Sequence, residues 1–341
     1  MNVHTSARRK VFFILSLLFI IIIMAVVSTS LGAANITVWD VCSAILNKFF
    51  PDHFNPGELA ENVVWHLRLP RILMAILAGI GLAVAGTIFQ STFRTPLASP
   101  YTLGVLSAAA FGASLATVLG IERSMLSLPS LIMISTFVAL LPAFFIYRFV
   151  KRKASPGAVI LIGIGFLFLF SILTPRLLLF TEVDVAKESM FWMSGGLDSA
   201  SWTGIGIVFF ILVFCIPLLL LKSRDFDMIA DTKSVTEEEK TRNTGIFVAS
   251  LMSAVIVCFT GIIGFVGLVA PYITKMIIGG EHRFLIPASG LLGGALLLGL
   301  DTVARTIMTP VIIPVHFLTF LIGFPLFIYL IIGLVIRSEH R

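Results

Sequence analysis

Long apolar runs follow one another along the chain, joined by short polar stretches. From Leu15 to Met24 the sequence reads LSLLFIIIIM, and only Ser16 interrupts it. A helix crosses the ~30 Å hydrocarbon layer of a bilayer in about 20 apolar residues. A spanning backbone must satisfy its own hydrogen bonds, which restricts it to helices or a closed barrel. Barrel strands alternate apolar and polar positions, and these runs do not. The pattern predicts an all-α, polytopic membrane protein with about ten transmembrane helices. The spans fall near 11–31, 68–90, 102–120, 126–149, 157–180, 203–221, 244–263, 266–279, 286–307 and 316–336. The eighth is short and carries Pro271 and Lys275. Only GIIGFVG, Gly261 to Gly267, separates it from the seventh, which predicts a broken or re-entrant helix there.

Composition agrees with that pattern. The chain of 341 residues is 58% hydrophobic and 12% charged, against about 45–50% and about 25% for soluble domains. All of residues 1–341 is read as one transmembrane domain. Arg8, Arg9 and Lys10 precede the first apolar run, and SLGAA, Ser30 to Ala34, follows it, as in a signal peptide. The run over 11–31 exceeds the roughly 7–15 residues of a cleaved signal core, so it is read as a retained span. The net charge of +6 is scattered between apolar segments, which argues against nucleic-acid binding. Cys42, Cys215 and Cys258 form no Cys-x-x-Cys pair, and no two histidines have helical metal-ligand spacing. Neither a disulfide framework nor a metal site or other cofactor is indicated.

Charge then orients the spans. With both termini cytoplasmic, 17 of the 24 basic residues lie on the inner side, as the positive-inside rule requires. The cluster YRFVKRK, Tyr147 to Lys153, is the strongest anchor, and an orientation signal accounts for it. The same count puts Arg68, Arg71 and Arg305 at the outer face. Arg68 and Arg71 are three residues apart, on one helical face, and Pro70 between them suits a first helical turn. Two readings stand: the arginines snorkel to lipid phosphates, or they form a rim of positive charge that docks an acidic soluble partner.

Transport needs an energy source. No Gly-Lys dipeptide occurs, so the phosphate-cradling G-x-x-x-x-G-K-[ST] loop is missing. Asp301 is the main acidic residue deep in a span, and it stands four residues before Arg305, at pairing distance on one helix face. With neither an ATPase motif nor a clear proton relay, energy is expected from a separate subunit. The long polar inner loop, about residues 222–243, is the natural contact for one. There, Ser234 or Thr236 followed by Glu237 to Glu239 reads as a helix start with acids in its first turn. The plain alternative is a solvated linker.

VWHLRLPR (Val64 to Arg71), GIGLAVAG (Gly79 to Gly86) and FRTPLASPYTLGV (Phe93 to Val105) together resemble the FecCD-type permeases of ABC importers. GFVGLVAP (Gly264 to Pro271), EHRFLIP (Glu281 to Pro287), DTVAR (Asp301 to Arg305) and LIGFPLFIY (Leu321 to Tyr329) extend the resemblance, in order, to about residue 335. It implies the ABC type II importer permease architecture. Two such subunits, identical or related, would surround a translocation path in the bacterial cytoplasmic membrane. A dimeric ATP-binding cassette ATPase would sit below, and an extracytoplasmic solute-binding protein would dock above.

The implied cargo is an iron chelate, with ferric siderophore the first choice and haem or cobalamin the alternatives. An ion-coupled carrier using Asp301 is the contrasting class. The resemblance assigns docking to Arg68, Arg71 and Arg305. It places the ATPase contact near Phe226 to Glu239, with Asp227, Ala230, Ser234, Glu237 and Glu238 as candidates, although the family's coupling-loop glycines are missing here. Ser155, Pro156, Gly163 and Gly165 are the candidates for the pathway and its inner gate. The glycines of GIG (Gly79 to Gly81), GIG (Gly163 to Gly165) and GLLGG (Gly290 to Gly294) have a simpler reading, close helix packing within the subunit.

Overall fold

Every predicted span has its helix in the structure, a computed structural model that describes residues 6–32, 36–48, 50, 57–120, 127–151, 155–228, 235–308 and 313–339. In chain order the helices are α1 (Ala7–Ser30), α2 (Val38–Asn47), α3 (Glu58–Asn62), α4 (Leu69–Phe93), α5 (Val105–Val118), α6 (Ser127–Lys151) and α7 (Pro156–Leu178). Then come α8 (Val183–Met193), α9 (Trp202–Leu221), α10 (Ser223–Met228), α11 (Val235–Thr260), α12 (Val266–Ile278), α13 (His282–Thr306) and α14 (Val315–Glu339). The spans are α1, α4 to α7, α9 and α11 to α14. A 25-residue helix such as α4 or α13 is about 37 Å long, enough to cross the hydrocarbon layer.

Burial separates a centre from a rim. The apolar window of α4 is 78% buried and that of α11 72%, whereas α1 reaches 17% and α7 22%. Small residues permit that centre. A Cβ on Gly79 would lie 2.3 Å from the carbonyl oxygen of Gly293, and one on Gly86 would lie 1.7 Å from that of Gly267. The backbones of α4, α12 and α13 therefore touch, as close packing between membrane helices requires.

α5 and α12 have 14 and 13 residues, about 20 Å each, too short to cross alone. The irregular stretches 94–104 and 261–265 make up the difference. Both lie deep in the bundle: Leu103 packs on Gly163 in α7, and Gly267 packs on Leu82 and Gly86 in α4. Irregular backbone at membrane depth is tolerated when protein buries it and its polar groups are paired. Ser99 N–H donates to Thr102 Oγ1 at 2.9 Å, Thr102 N–H returns to Ser99 Oγ at 3.1 Å, and Gln90 Nε2 donates to the Leu268 carbonyl at 3.1 Å. Gly264 N–H donates to His316 Nδ1 at 3.2 Å. The break foreseen at GIIGFVG is thus present.

Two details differ from the sequence reading. Residues 58–67 precede the predicted second span, yet with Arg68 they form α3 and a six-residue π-helix, Val63–Arg68, that leads into α4. Trp65 fastens this segment, donating from Nε1 to the Ala44 carbonyl at 2.9 Å, while Trp202 Nε1 donates to the Trp65 carbonyl at 3.0 Å. In the polar loop, the helix start falls at Val235, and this helix runs unbroken into the seventh span. It is not a separate short helix; the short helix of the loop is α10.

Candidate functional site

Contacts between antiparallel and parallel neighbours define two ends of the bundle. At the first end, Lys10 Nζ meets Glu281 Oε2 at 2.7 Å, joining the start of α1 to the start of α13. At the second end, Ser28 and Thr302 hydroxyls are 2.8 Å apart, joining the same two helices near their finish.

Arg68, Arg71 and Arg305 meet at the second end, and all three turn inward. Arg68 is 5% exposed, Arg71 7% and Arg305 8%. Their partners belong to the chain itself. Arg71 Nε donates to both oxygens of Asp301, at 2.8 and 3.1 Å, and its Nη1 donates to Asp198 Oδ1. Arg305 Nε donates to Asp301 Oδ2 at 3.2 Å, its Nη1 to the Leu31 carbonyl at 3.0 Å and its Nη2 to the Ser28 carbonyl at 2.8 Å. Arg68 Nη1 donates to the Thr29 carbonyl at 2.6 Å. The pairing of Asp301 with Arg305 on one helix face, expected from their spacing, is present.

The cluster ties four parts of the molecule together. Asp301 and Arg305 come from α13, Arg71 from the first turn of α4, and the carbonyls from the end of α1. Asp198 comes from the turn between α8 and α9. That turn can reach Arg71 because Gly195, at φ +74°, lies where a Cβ would be 2.1 Å from the Ile262 carbonyl oxygen. Asp301 is fully buried, whereas the Asp198 side chain is one-third exposed. Asp198 also lines a cavity of about 490 Å³ at this end, with Ser114, Ser189 and Trp192. The sequence reading missed Asp198; an acid directly after Gly-Gly-Leu in a turn between two helices was the available signal. Among the described residues, three arginines and two aspartates give the cluster a formal charge of +1, and Arg71 Nη2 is buried without a hydrogen-bond partner there.

At the first end, Asp227 lies in α10, where its carboxylate accepts from His282 N–H at 3.0 Å and contacts His282 Nδ1 at 2.6 Å. Phe226 beside it is buried, and a Cβ on Gly245 would lie 2.9 Å from its ring. Arg224 and Asp225 point outward from the same helix. Glu237 and Glu238 fall in the first turn of α11, and Tyr147 OH donates to Glu239 Oε1 at 2.6 Å, joining α6 to that turn. Ala230 and Ser234 lie outside the described residues.

The four pathway candidates have distinct settings. Ser155 caps α7, accepting from Ala158 N–H at 3.2 Å, and Pro156 opens the helix where its missing N–H costs nothing. Gly163 faces into the subunit, where a Cβ would lie 2.7 Å from Leu103 Cα. Gly165 lies on the opposite face, with nothing within 4 Å of a Cβ there. Leu161, Phe168 and Ile172 are exposed on α7 as well.

A family model described as the FecCD transport family matches residues 18–333. Among curated proteins, the chain is 35% identical over 276 residues to the Fe(3+) dicitrate transport system permease protein of Escherichia coli, covering 79% of this chain and 85% of that one. It is 34% identical over 294 residues to the cobalamin import system permease protein of Halobacterium salinarum, covering 82% and 76%. A solved chain described as an inward-facing conformation of a metal-chelate type ABC transporter superposes with a TM-score of 0.77 at 28% identity, covering 94% of this chain and 98% of that one.

Proposed function

This chain belongs to the FecCD transport family, and from that premise we propose that it imports an iron chelate, a ferric siderophore first, as one of two permease subunits. The observation that carries the reading is the family match over 18–333; the ten-helix bundle supports it. The subunit carries out no covalent chemistry. A separate ATPase supplies the energy, a solute-binding protein delivers the chelate, and helix packing switches between discrete states.

In this reading the first end is cytoplasmic, which both termini then share, and the second end is extracytoplasmic. The polar segment 222–243 meets the ATPase, with Asp227, Ala230, Ser234, Glu237 and Glu238 in or beside the contact. The open face of α7, with Gly165 on it, borders the path and a second permease copy; Ser155 and Pro156 set where that helix begins at the cytoplasmic end. Gly163 acts by letting α7 pack on the stretch before α5.

Docking by Arg68, Arg71 and Arg305 takes a specific form. Arg71 and Arg305 already hold Asp301 and Arg68 the Thr29 carbonyl, so a carboxylate from the binding protein has to add to, or exchange with, Asp198. The residual positive charge and the unpartnered Arg71 Nη2 favour such a carboxylate. Asp198→Asn is then expected to tighten binding-protein docking, and high salt to weaken it. The Asp301 carboxylate is engaged by two guanidinium groups, which makes it their counter-ion and disfavours an ion-coupled carrier.

The test is copurification. The chain in detergent should retain an ATP-binding cassette ATPase and bind a solute-binding protein whose ligand is then identified from ferric hydroxamate, ferric dicitrate, haem and cobalamin. Recovery of the chain without any ATPase under conditions that preserve the bundle would overturn the proposal.

A further inference from the structure

His282 begins α13 and is 7% exposed, and its ring is held from two sides. Nδ1 faces Asp227 in α10, and Nε2 faces Ser91 Oγ near the end of α4. Nδ1 donates to the Asp227 carboxylate, and Ser91 Oγ also lies 2.8 Å from the Thr87 carbonyl. The same three residue types perform acyl transfer elsewhere. In this chain they join α4, α13 and α10.

What remains is a mechanical bridge. α10 has six residues, too few to be stable alone, so its position is set by what holds it. Phe226 packs on Gly245 of α11, and three contacts join the helix to His282: Asp227 on the backbone N–H, Asp227 on the ring, and Phe226 against the ring at 5.8 Å between centroids. Through the far side of the ring, the same helix is joined to α4. α4 and α13 are the two helices that meet at the glycine seam and carry Arg71, Asp301 and Arg305 at the opposite end. A displacement of α10 therefore reaches α13 through the His282 backbone and ring, and α4 through the ring.

We propose that His282 is the positioning residue that couples α10 to α4 and α13, so that ATPase movement at the first end reaches the arginine cluster at the second. The inference rests on the reading of segment 222–243 as the ATPase contact. Exposed Arg224 and Asp225 would meet the ATPase, while Phe226 is buried and the one-third-exposed Asp227 side chain turns to His282.

Two substitutions divide the bridge. An asparagine amide can take the place of Nδ1, so His282→Asn keeps the Asp227 bond and loses Ser91. A glutamine amide can take the place of Nε2, so His282→Gln keeps Ser91 and loses Asp227. The experiment is amide hydrogen exchange on the full complex of permease and ATPase, with and without ATP and vanadate. In the wild type, trapping should change exchange in α10, in the last turns of α4 and in the first turn of α13. In His282→Asn the change should remain in α10 and α13 and be lost from α4; in His282→Gln it should remain in α10 and be weakened in both α13 and α4, with the ATPase still bound.

His282→Asn retaining the wild-type change in α4, or His282→Gln retaining it in both α4 and α13, would overturn the bridge, as would a wild-type change confined to α10. Ser91→Ala, at a half-buried site, serves if the histidine variants do not fold: the change should then be lost from α4, and its persistence there counts against the proposal. A bound ATPase that leaves α10 unchanged would instead overturn the ATPase-contact reading, and the bridge with it.

Discussion

Asp301 accepts from two guanidinium groups that would otherwise lie buried beside each other. Removing one partner of a buried ion pair leaves an uncompensated charge. Asp301→Asn is therefore expected to lower stability by about 3–5 kcal/mol, read as a fall in the unfolding midpoint in detergent. Asp198→Asn touches the same Arg71 from a half-solvated position and should cost no more than about 1 kcal/mol. Equal losses for the two would show that the cluster is not organised around Asp301. The three arginines were legible in the sequence, because charge counting isolates them and Asp301 stands four residues from Arg305. Their inward orientation was not legible, because it depends on carbonyls of α1 and on Asp198, far away in the chain. For the same reason a triple reversal to glutamate would report on folding as much as on docking.

At the scale of elements, apolar length alone placed the spans to within a few residues for most of the chain. It placed α11 late, since its first turns, from Val235, are polar and hydropathy does not register them. It also missed α3 and the π-helix, whose hold comes from Trp65 and Trp202 across a long sequence separation. The glycine motifs announced close packing without saying which helices would meet. Gly79→Ala should destabilise the bundle by about 1–3 kcal/mol through overpacking at the Gly293 carbonyl. Gly165→Ala, on the open face of α7, should leave stability unchanged or raise it by up to about 1 kcal/mol. Thermal unfolding of the two variants side by side checks the assignment, and a loss at Gly165 matching that at Gly79 would contradict it.

For the whole molecule, sidedness is testable with a natural probe. Cys42 is exposed near the start of α2, while Cys215 and Cys258 are buried. With the second end extracytoplasmic, a membrane-impermeant maleimide added to intact cells should label Cys42 and leave a Cys42→Ser variant unlabelled. Labelling only after the cells are opened would reverse the topology. The central claim is that this bundle moves its cargo with energy supplied from outside its own chain. Reconstitution in liposomes with the cognate ATPase and binding protein, using radiolabelled ferric hydroxamate, tests it most directly. Accumulation is expected to require ATP on the ATPase side and the loaded binding protein on the opposite side. Accumulation by the chain alone under an ion gradient, with no ATPase present, would contradict it.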